Sequence, residues 1–131
     1  MTPDEPYLMP SHVRLLVSDT ARATAFYEAL GFSCVNRDGV FVHLRWARYA
    51  DVFLVGMPAG VELPGQRGLG VILCFHVRDE VSLDELRARA EASGTAVDGP
   101  RNQPWFTREL VVTDPEGYKL AFVTPSERVE A

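Results

Sequence analysis

The strongest constraint on this chain is a pattern that it carries twice. An alternating segment at 12–18 runs into a helical stripe at 20–30 that stops at Gly31, and a second alternating segment at 70–77 runs into a helical stripe at 82–93 that stops at Gly94. Val13, Leu15 and Val17 share one face of the first segment, with His12, Arg14, Leu16 and Ser18 on the other. Val71, Leu73, Phe75 and Val77 alternate in the same way with Ile72, Cys74 and His76. A period of two marks strands covered on one side. Ala23, Phe26, Tyr27 and Leu30 recur at helical spacing behind Asp19 or Thr20 as N-cap, and Leu83, Leu86 and Ala90 recur behind a Ser82/Glu85 capping box. Glycine at each helix end suits the left-handed C′ position. Strand-like segments follow each helix, at 33–37, 40–46 and 51–57 and at 95–100, 106–113 and 119–124, the first two divided by an Asp38-Gly39 hairpin signal. The chain therefore reads as α+β, one βαβββ module written twice.

Proline and glycine divide the remainder. Pro3, Pro6 and Pro10 predict a flexible N-terminal arm over 1–10; Pro58, Gly60, Pro64, Gly65 and Gly68 predict a linker over 58–69. The modules then occupy 11–57 and 70–125, with a C-terminal tail at 126–131. A chain of 131 residues, 47% hydrophobic, suits one compact domain or two half-domains sharing a core. Its 13 basic and 18 acidic residues leave a net charge of −5, a poor match for a phosphate backbone, so no nucleic-acid partner is expected. No apolar run approaches the ~20 residues that span a bilayer, and the first ten residues lack a basic start and an apolar core. The expectation is a soluble cytoplasmic protein without a membrane partner. Cys34 and Cys74 fall in predicted strands without the spacing of a disulfide framework and are expected to be reduced.

If each helix covers one sheet face, then His12, Arg14, Cys74 and His76 gather on the opposite faces, which curve around a cleft. His43, on the strand at 40–46, can lie on either face and is read as structural or exposed. Arg108 and Glu109 alternate, so at most one of them enters the cleft. Cys74 beside a histidine would be a nucleophile only if its thiolate were stabilised; strand cysteines serve more often as small apolar packing residues, the reading favoured here. Asp114-Pro115-Glu116-Gly117 is turn chemistry, its carboxylates shaping backbone rather than catalysing. Trp46, Trp105 and Phe106 supply planar rings at strand ends, suited to stacking on a flat ligand at about 0.5–1.5 kcal/mol per aromatic pair, or alternatively to packing a strand end or a dimer contact.

His12-Val13-Arg14-Leu15-Leu16-Val17-Ser18-Asp19, Ala25-Phe26-Tyr27-Glu28-Ala29-Leu30-Gly31-Phe32, Arg108-Glu109-Leu110 and Asp114-Pro115-Glu116-Gly117-Tyr118 together resemble the vicinal oxygen chelate superfamily, over about residues 11–125. That superfamily includes glyoxalase I, extradiol dioxygenases, fosfomycin resistance enzymes and the metal-free bleomycin resistance proteins. The resemblance implies paired βαβββ modules with curved mixed sheets forming a cleft and, in the enzymes, a metal held at four strand positions. Those positions fall on His12, Phe53, Ile72 and Ala121. Divalent metals take three or four N, O or S donors, and only His12 offers one. The resemblance therefore implies no metal and no cofactor. It points to a bleomycin-resistance-like homodimer that sequesters a planar or aromatic small molecule, an antibiotic or a metabolite. Ligand contacts are expected from His12, Arg14, Trp46, Phe53, Ile72, Cys74, His76, Trp105, Phe106 and Ala121. Two other readings stay open: a lyase, isomerase or dioxygenase with a displaced metal site on His12 and His76 helped by Glu109 or Asp51, and a structural module with a vestigial cleft. Trp105→Ala and Phe53→Ala are expected to weaken binding while sparing the fold, and Phe26→Ala or Leu86→Ala to destabilise it.

Overall fold

Both helices start at the residues able to cap them. The Asp19 carboxylate accepts from the Arg22 backbone N–H at 3.0 Å, and the Ser82 hydroxyl accepts from the Glu85 N–H at 3.0 Å. Only half of the predicted capping box forms, because the Glu85 carboxylate bonds Arg89 one turn on, at 2.7 Å. In this computed structural model of the chain the described residues are 11–58, 65, 67–77 and 82–126. The predicted arm at 1–10 and the tail beyond Ser126 lie outside them, as does part of the linker.

The elements run β1 (Val13–Val17), α1 (Thr20–Leu30), β2 (Ser33–Asp38), β3 (Phe41–Ala47) and β4 (Ala50–Gly56), then β5 (Ile72–His76), α2 (Leu83–Ala92), β6 (Val97–Asn102), β7 (Thr107–Thr113) and β8 (Lys119–Pro125). The predicted order βαβββ is present twice. The chain divides into two compact units, Met1–Pro64 and Gly65–Ala131. Each holds one four-stranded mixed sheet, ordered β1-β4-β3-β2 in the first and β5-β8-β7-β6 in the second. β1 runs parallel to β4 and β5 to β8, while the remaining neighbours are antiparallel. The helix in each unit carries the chain back so that its first and last strands can lie side by side in the same direction.

Within each unit the helix covers one sheet face. In the first, α1 buries Ala23, Phe26, Tyr27 and Leu30, and the sheet buries Val17, Val42, Leu44, Val52 and Leu54. In the second, Leu83, Leu86 and Ala90 of α2 are buried together with Phe75, Leu110, Val112, Leu120 and Phe122. Each large apolar side chain so buried stabilises the fold by about 1.5–3 kcal/mol. Val71 departs from its predicted place on this face and is 56% exposed. It precedes β5, in a turn where its N–H bonds the Gly68 carbonyl at 2.8 Å, so the strand alternation that would turn it inward has not begun.

The two turns with strong sequence chemistry behave as their residues dictate. Asp114 is buried and its Oδ1 accepts from the backbone N–H groups of Glu116 and Tyr118, each at 2.9 Å, while Gly117 takes φ 103°. The carboxylate is consumed in shaping the turn. In the β2–β3 hairpin Asp38 pairs with Phe41, so the loop is Gly39-Val40, one residue beyond the expected position, with Gly39 at φ 59° in the first loop place.

Candidate functional site

The face of the first sheet turned away from α1 is built from alternate residues of β1, β4 and β3. Register places Arg14 beside Phe53 and Phe53 beside His43. The rings form a ladder. The His12 and Phe53 centroids are 4.6 Å apart, Phe53 and His43 stack at 4.2 Å with planes 19° apart, and Phe41 lies 5.1 Å from Phe53. Phe53 and His43 are buried, whereas Arg14 is exposed.

Two residues further along these strands, on the same face, Arg45 stands opposite Asp51. Arg45 Nε donates to Asp51 Oδ1 at 3.0 Å and Arg45 Nη2 donates to Oδ2 at 2.9 Å; His43 Nε2 lies 2.5 Å from the same Oδ2. A carboxylate only accepts, so Nε2 is the histidine nitrogen carrying the proton in this contact. All three side chains are buried. The two-pronged guanidinium contact satisfies a carboxylate that would otherwise be very costly to remove from water. His43, expected to be structural or exposed, is thus fixed in a buried network. Asp51, named as a possible helper of a displaced metal site, stands on this face, but its oxygens are already occupied by Arg45 and His43.

Trp46 does not join the ladder. Its ring lies 5.2 Å from Phe32, and Phe32 meets Tyr27 of α1 edge-on at 5.2 Å, which puts the indole on the helix side of the sheet. Alternation along β3 accounts for this: Val42, Leu44 and Trp46 share the helix side, while His43 and Arg45 take the opposite face.

On the second sheet, the face turned away from α2 carries three rows: Ile72, Lys119 and Thr113; Cys74, Ala121 and Val111; His76, Val123 and Glu109. Ile72, Cys74 and His76 are exposed, and Ala121 is buried. Of the Arg108/Glu109 pair, Glu109 occupies this face. Its Oε2 accepts from Trp105 Nε1 at 2.9 Å and from the Thr107 hydroxyl at 2.6 Å, while Arg108 donates to Asn102 at 2.9 Å. Trp105 and Phe106 stand in the β6–β7 loop at 61% and 56% exposure, with Phe106 at φ 69°. Partial burial of the Cys74 thiol, first, and the nearby Glu109 charge, second, raise its pKa. Both effects disfavour a thiolate, so the environment of Cys74 is the opposite of an activated nucleophile's.

The family's four metal positions can now be tested against the chemistry present. Phe53 and Ala121 are buried carbon surfaces, Ile72 offers no donor, and the His12 ring lies against Phe53 at a tilt. Among the described residues no three His, Cys, Asp or Glu side chains are grouped to hold a metal ion. The residues at these positions do not fit a divalent metal.

Of the residues singled out from the sequence, the structure brings together His12, Phe53 and, as a neighbour along the row, Arg14 on the first sheet. On the second sheet it brings together Ile72, Cys74, His76 and Ala121, with Trp105 tied to them through Glu109. The Arg45–Asp51–His43 network escaped the sequence reading. It would have followed from folding a hairpin at residues 48–49, but Tyr49 sits there at φ 62°, and no Gly, Asn or Asp announces the turn.

The model of the Glyoxalase/Bleomycin resistance protein/Dioxygenase superfamily matches residues 10–122. No curated protein matches the chain. Among solved structures, an integron cassette protein from the mobile metagenome of the Halifax Harbour sewage outfall is 26% identical, with a TM-score of 0.69 over 88% of this chain and 99% of that one. A bleomycin-binding protein complexed with bleomycin is 22% identical, with a TM-score of 0.65 over 90% of this chain and 99% of its own. Lactoylglutathione lyase from Agrobacterium tumefaciens is also 22% identical, with a TM-score of 0.64 over 92% and 96%. No helix among the described residues is long and apolar enough to cross a membrane. With two βαβββ units, a turn built on Asp114 and a family match across nearly its whole length, the chain belongs to the glyoxalase/bleomycin resistance protein/dioxygenase superfamily.

Proposed function

We propose that this chain is a metal-independent binding protein that sequesters a small planar molecule, such as an antibiotic or a metabolite, and acts as a homodimer in the cytoplasm. One observation carries the reading: of the four positions from which the family's enzymes hold their metal, only His12 has a donor atom, and its neighbour Phe53 is a buried ring packed between His12 and His43. Carbon at these positions cannot coordinate a metal, and the exposed Ile72, Cys74 and His76 on the second sheet offer contact to an organic ligand instead. The exposed Trp105, held by Glu109 and Thr107's neighbour bond to the same oxygen, offers an ordered flat surface. The fold shared with a bleomycin-binding protein is consistent with such a role and does not identify the ligand.

The test is thermal unfolding of the untagged protein against a library of aromatic antibiotics, bleomycin included, and planar metabolites, together with metal analysis. A bound ligand raises stability by RT ln(1 + [L]/Kd), about 2.7 kcal/mol at a hundredfold excess over Kd. The expected result is stabilisation by at least one planar compound with no stoichiometric metal. A tightly held ion at one per chain, or no stabilisation across the library, would overturn the proposal.

A further inference from the structure

The second sheet carries a carboxylate that no described residue pairs with a positive charge. Glu109 lies on the face turned away from α2, and both hydrogen bonds to it come from neutral donors and converge on one oxygen, Oε2. Among the described residues, Oε1 accepts nothing and no Lys, Arg or His forms an ion pair with this carboxylate. The cations on the same face are directed elsewhere. Arg101, opposite Glu109 in the β6–β7 register, pairs with Asp98, and Lys119 reaches the Thr113 hydroxyl at 3.4 Å. His76 shares the row of Glu109 with Val123 between them. The field of Glu109 extends to Cys74, whose thiol it helps to hold protonated.

The carboxylate is also attached to an aromatic plate. Its bond to Trp105 Nε1 fixes one edge of an indole that is otherwise 61% exposed. The loop bearing that ring is tied down by three backbone bonds: Gln103 N–H to Thr107 O at 2.7 Å, Phe106 N–H to Gln103 O at 3.2 Å and Ser126 N–H to Phe106 O at 3.0 Å. Phe106 is held there at positive φ, a conformation that costs a non-glycine residue energy and persists where the surroundings impose it. A pre-set ring next to a half-buried carboxylate with a spare acceptor is the recognition chemistry of a planar cation: the ring meets the flat π-surface and Oε1 takes the charged N–H.

We infer that the face of the second unit selects planar organic cations, such as aryl amidines or protonated heteroaromatic amines, with Trp105 taking the ring and Glu109 the positive charge. The inference rests on the small-molecule binding proposed above and adds the charge of the ligand to it. The net charge of −5 acts in the same direction at long range.

Three probes of one shape separate the terms: 2-naphthamidine as the cation, 2-naphthamide as its neutral counterpart and 2-naphthoate as the anion. Binding is read by calorimetry and by quenching of tryptophan fluorescence at low salt. The amidine is expected to bind about tenfold more tightly than the amide, as a charge-assisted hydrogen bond gives, and the naphthoate more weakly than either. Glu109→Gln, which keeps an acceptor for Trp105 and Thr107, is expected to erase the preference for the amidine over the amide. Circular dichroism and the unfolding midpoint report that the variant is folded. Equal binding of amidine and amide, or a preference that survives Glu109→Gln, overturns the inference and leaves the planar-ligand proposal standing. Failure of all three probes to bind, while uncharged planar library compounds stabilise the protein, also overturns it.

Discussion

The two units repeat one topology and differ in what they place on the sheet face away from the helix. In the first, the part of that face on β3 and β4 is sealed: Phe53 and His43 stack, and Asp51 is bonded by Arg45 and His43 out of water, while Arg14 on β1 stays exposed. In the second, the equivalent face is open. Ile72, Cys74 and His76 are exposed, and among the described residues Glu109 meets only neutral donors. Duplicated backbone geometry therefore does not duplicate chemistry. The strand ladder fixes which residues share a face, and the identities at those positions decide whether the face closes on itself or stays available to a ligand.

The largest effect that would break this comparison is on Phe53. The sequence reading treats Phe53 and Trp105 alike, as ligand-facing rings whose removal spares the fold, and the structure separates them. Phe53 is 3% exposed with ring neighbours on three sides, so Phe53→Ala is expected to destabilise by about 3–5 kcal/mol in urea unfolding, whereas Trp105→Ala changes stability by less than about 0.5 kcal/mol. Comparable losses in the two variants would mean that the faces are equally packed. The next effect is electrostatic. Asp51→Asn leaves the Arg45 guanidinium without its counter-charge in a buried setting and is expected to cost about 3 kcal/mol, measured the same way. Glu109→Gln should be close to neutral by comparison, and the contrast between these two acid-to-amide changes is the sharpest form of the distinction.

The smallest effect concerns rate alone. Because partial burial and the Glu109 charge hold the Cys74 thiol above its ordinary pKa, the thiolate appears only at higher pH, and alkylation of Cys74 by iodoacetamide should rise with pH later than that of a free thiol. Removing the charge in Glu109→Gln lowers that pKa, so the alkylation profile should move to lower pH. Mass spectrometry assigns the modified cysteine. An unchanged profile would mean that the carboxylate does not reach across the sheet.

Much of the fold was legible because its signals are local. Asp19 and Ser82 start helices with their own side chains, Gly31 stops one, and Asp114 with Gly117 folds a turn through bonds spanning four residues or fewer. Alternation through β1 and β5 alone sorts His12, Arg14, Cys74 and His76 onto the faces away from the helices. The candidate site was less legible. Trp46 falls on the helix side because it alternates with Arg45 and shares the face of Val42 and Leu44, which only the burial of those neighbours reveals, and the hairpin that brings Arg45 to Asp51 turns at Tyr49, a residue type that gives no sign of positive φ.

By itself, then, the amino-acid order determined the element sequence, the doubling of the module and the poverty of metal donors at four strand positions, because period, caps, turns and donor atoms are properties of neighbouring residues or of a side chain alone. Which rings are sealed and which are open, and which carboxylate is neutralised and which keeps its charge, was decided only in three dimensions. Burial and ion pairing depend on cross-strand partners such as Arg45 with Asp51, and those partners are set by register and hairpin geometry that no single residue encodes.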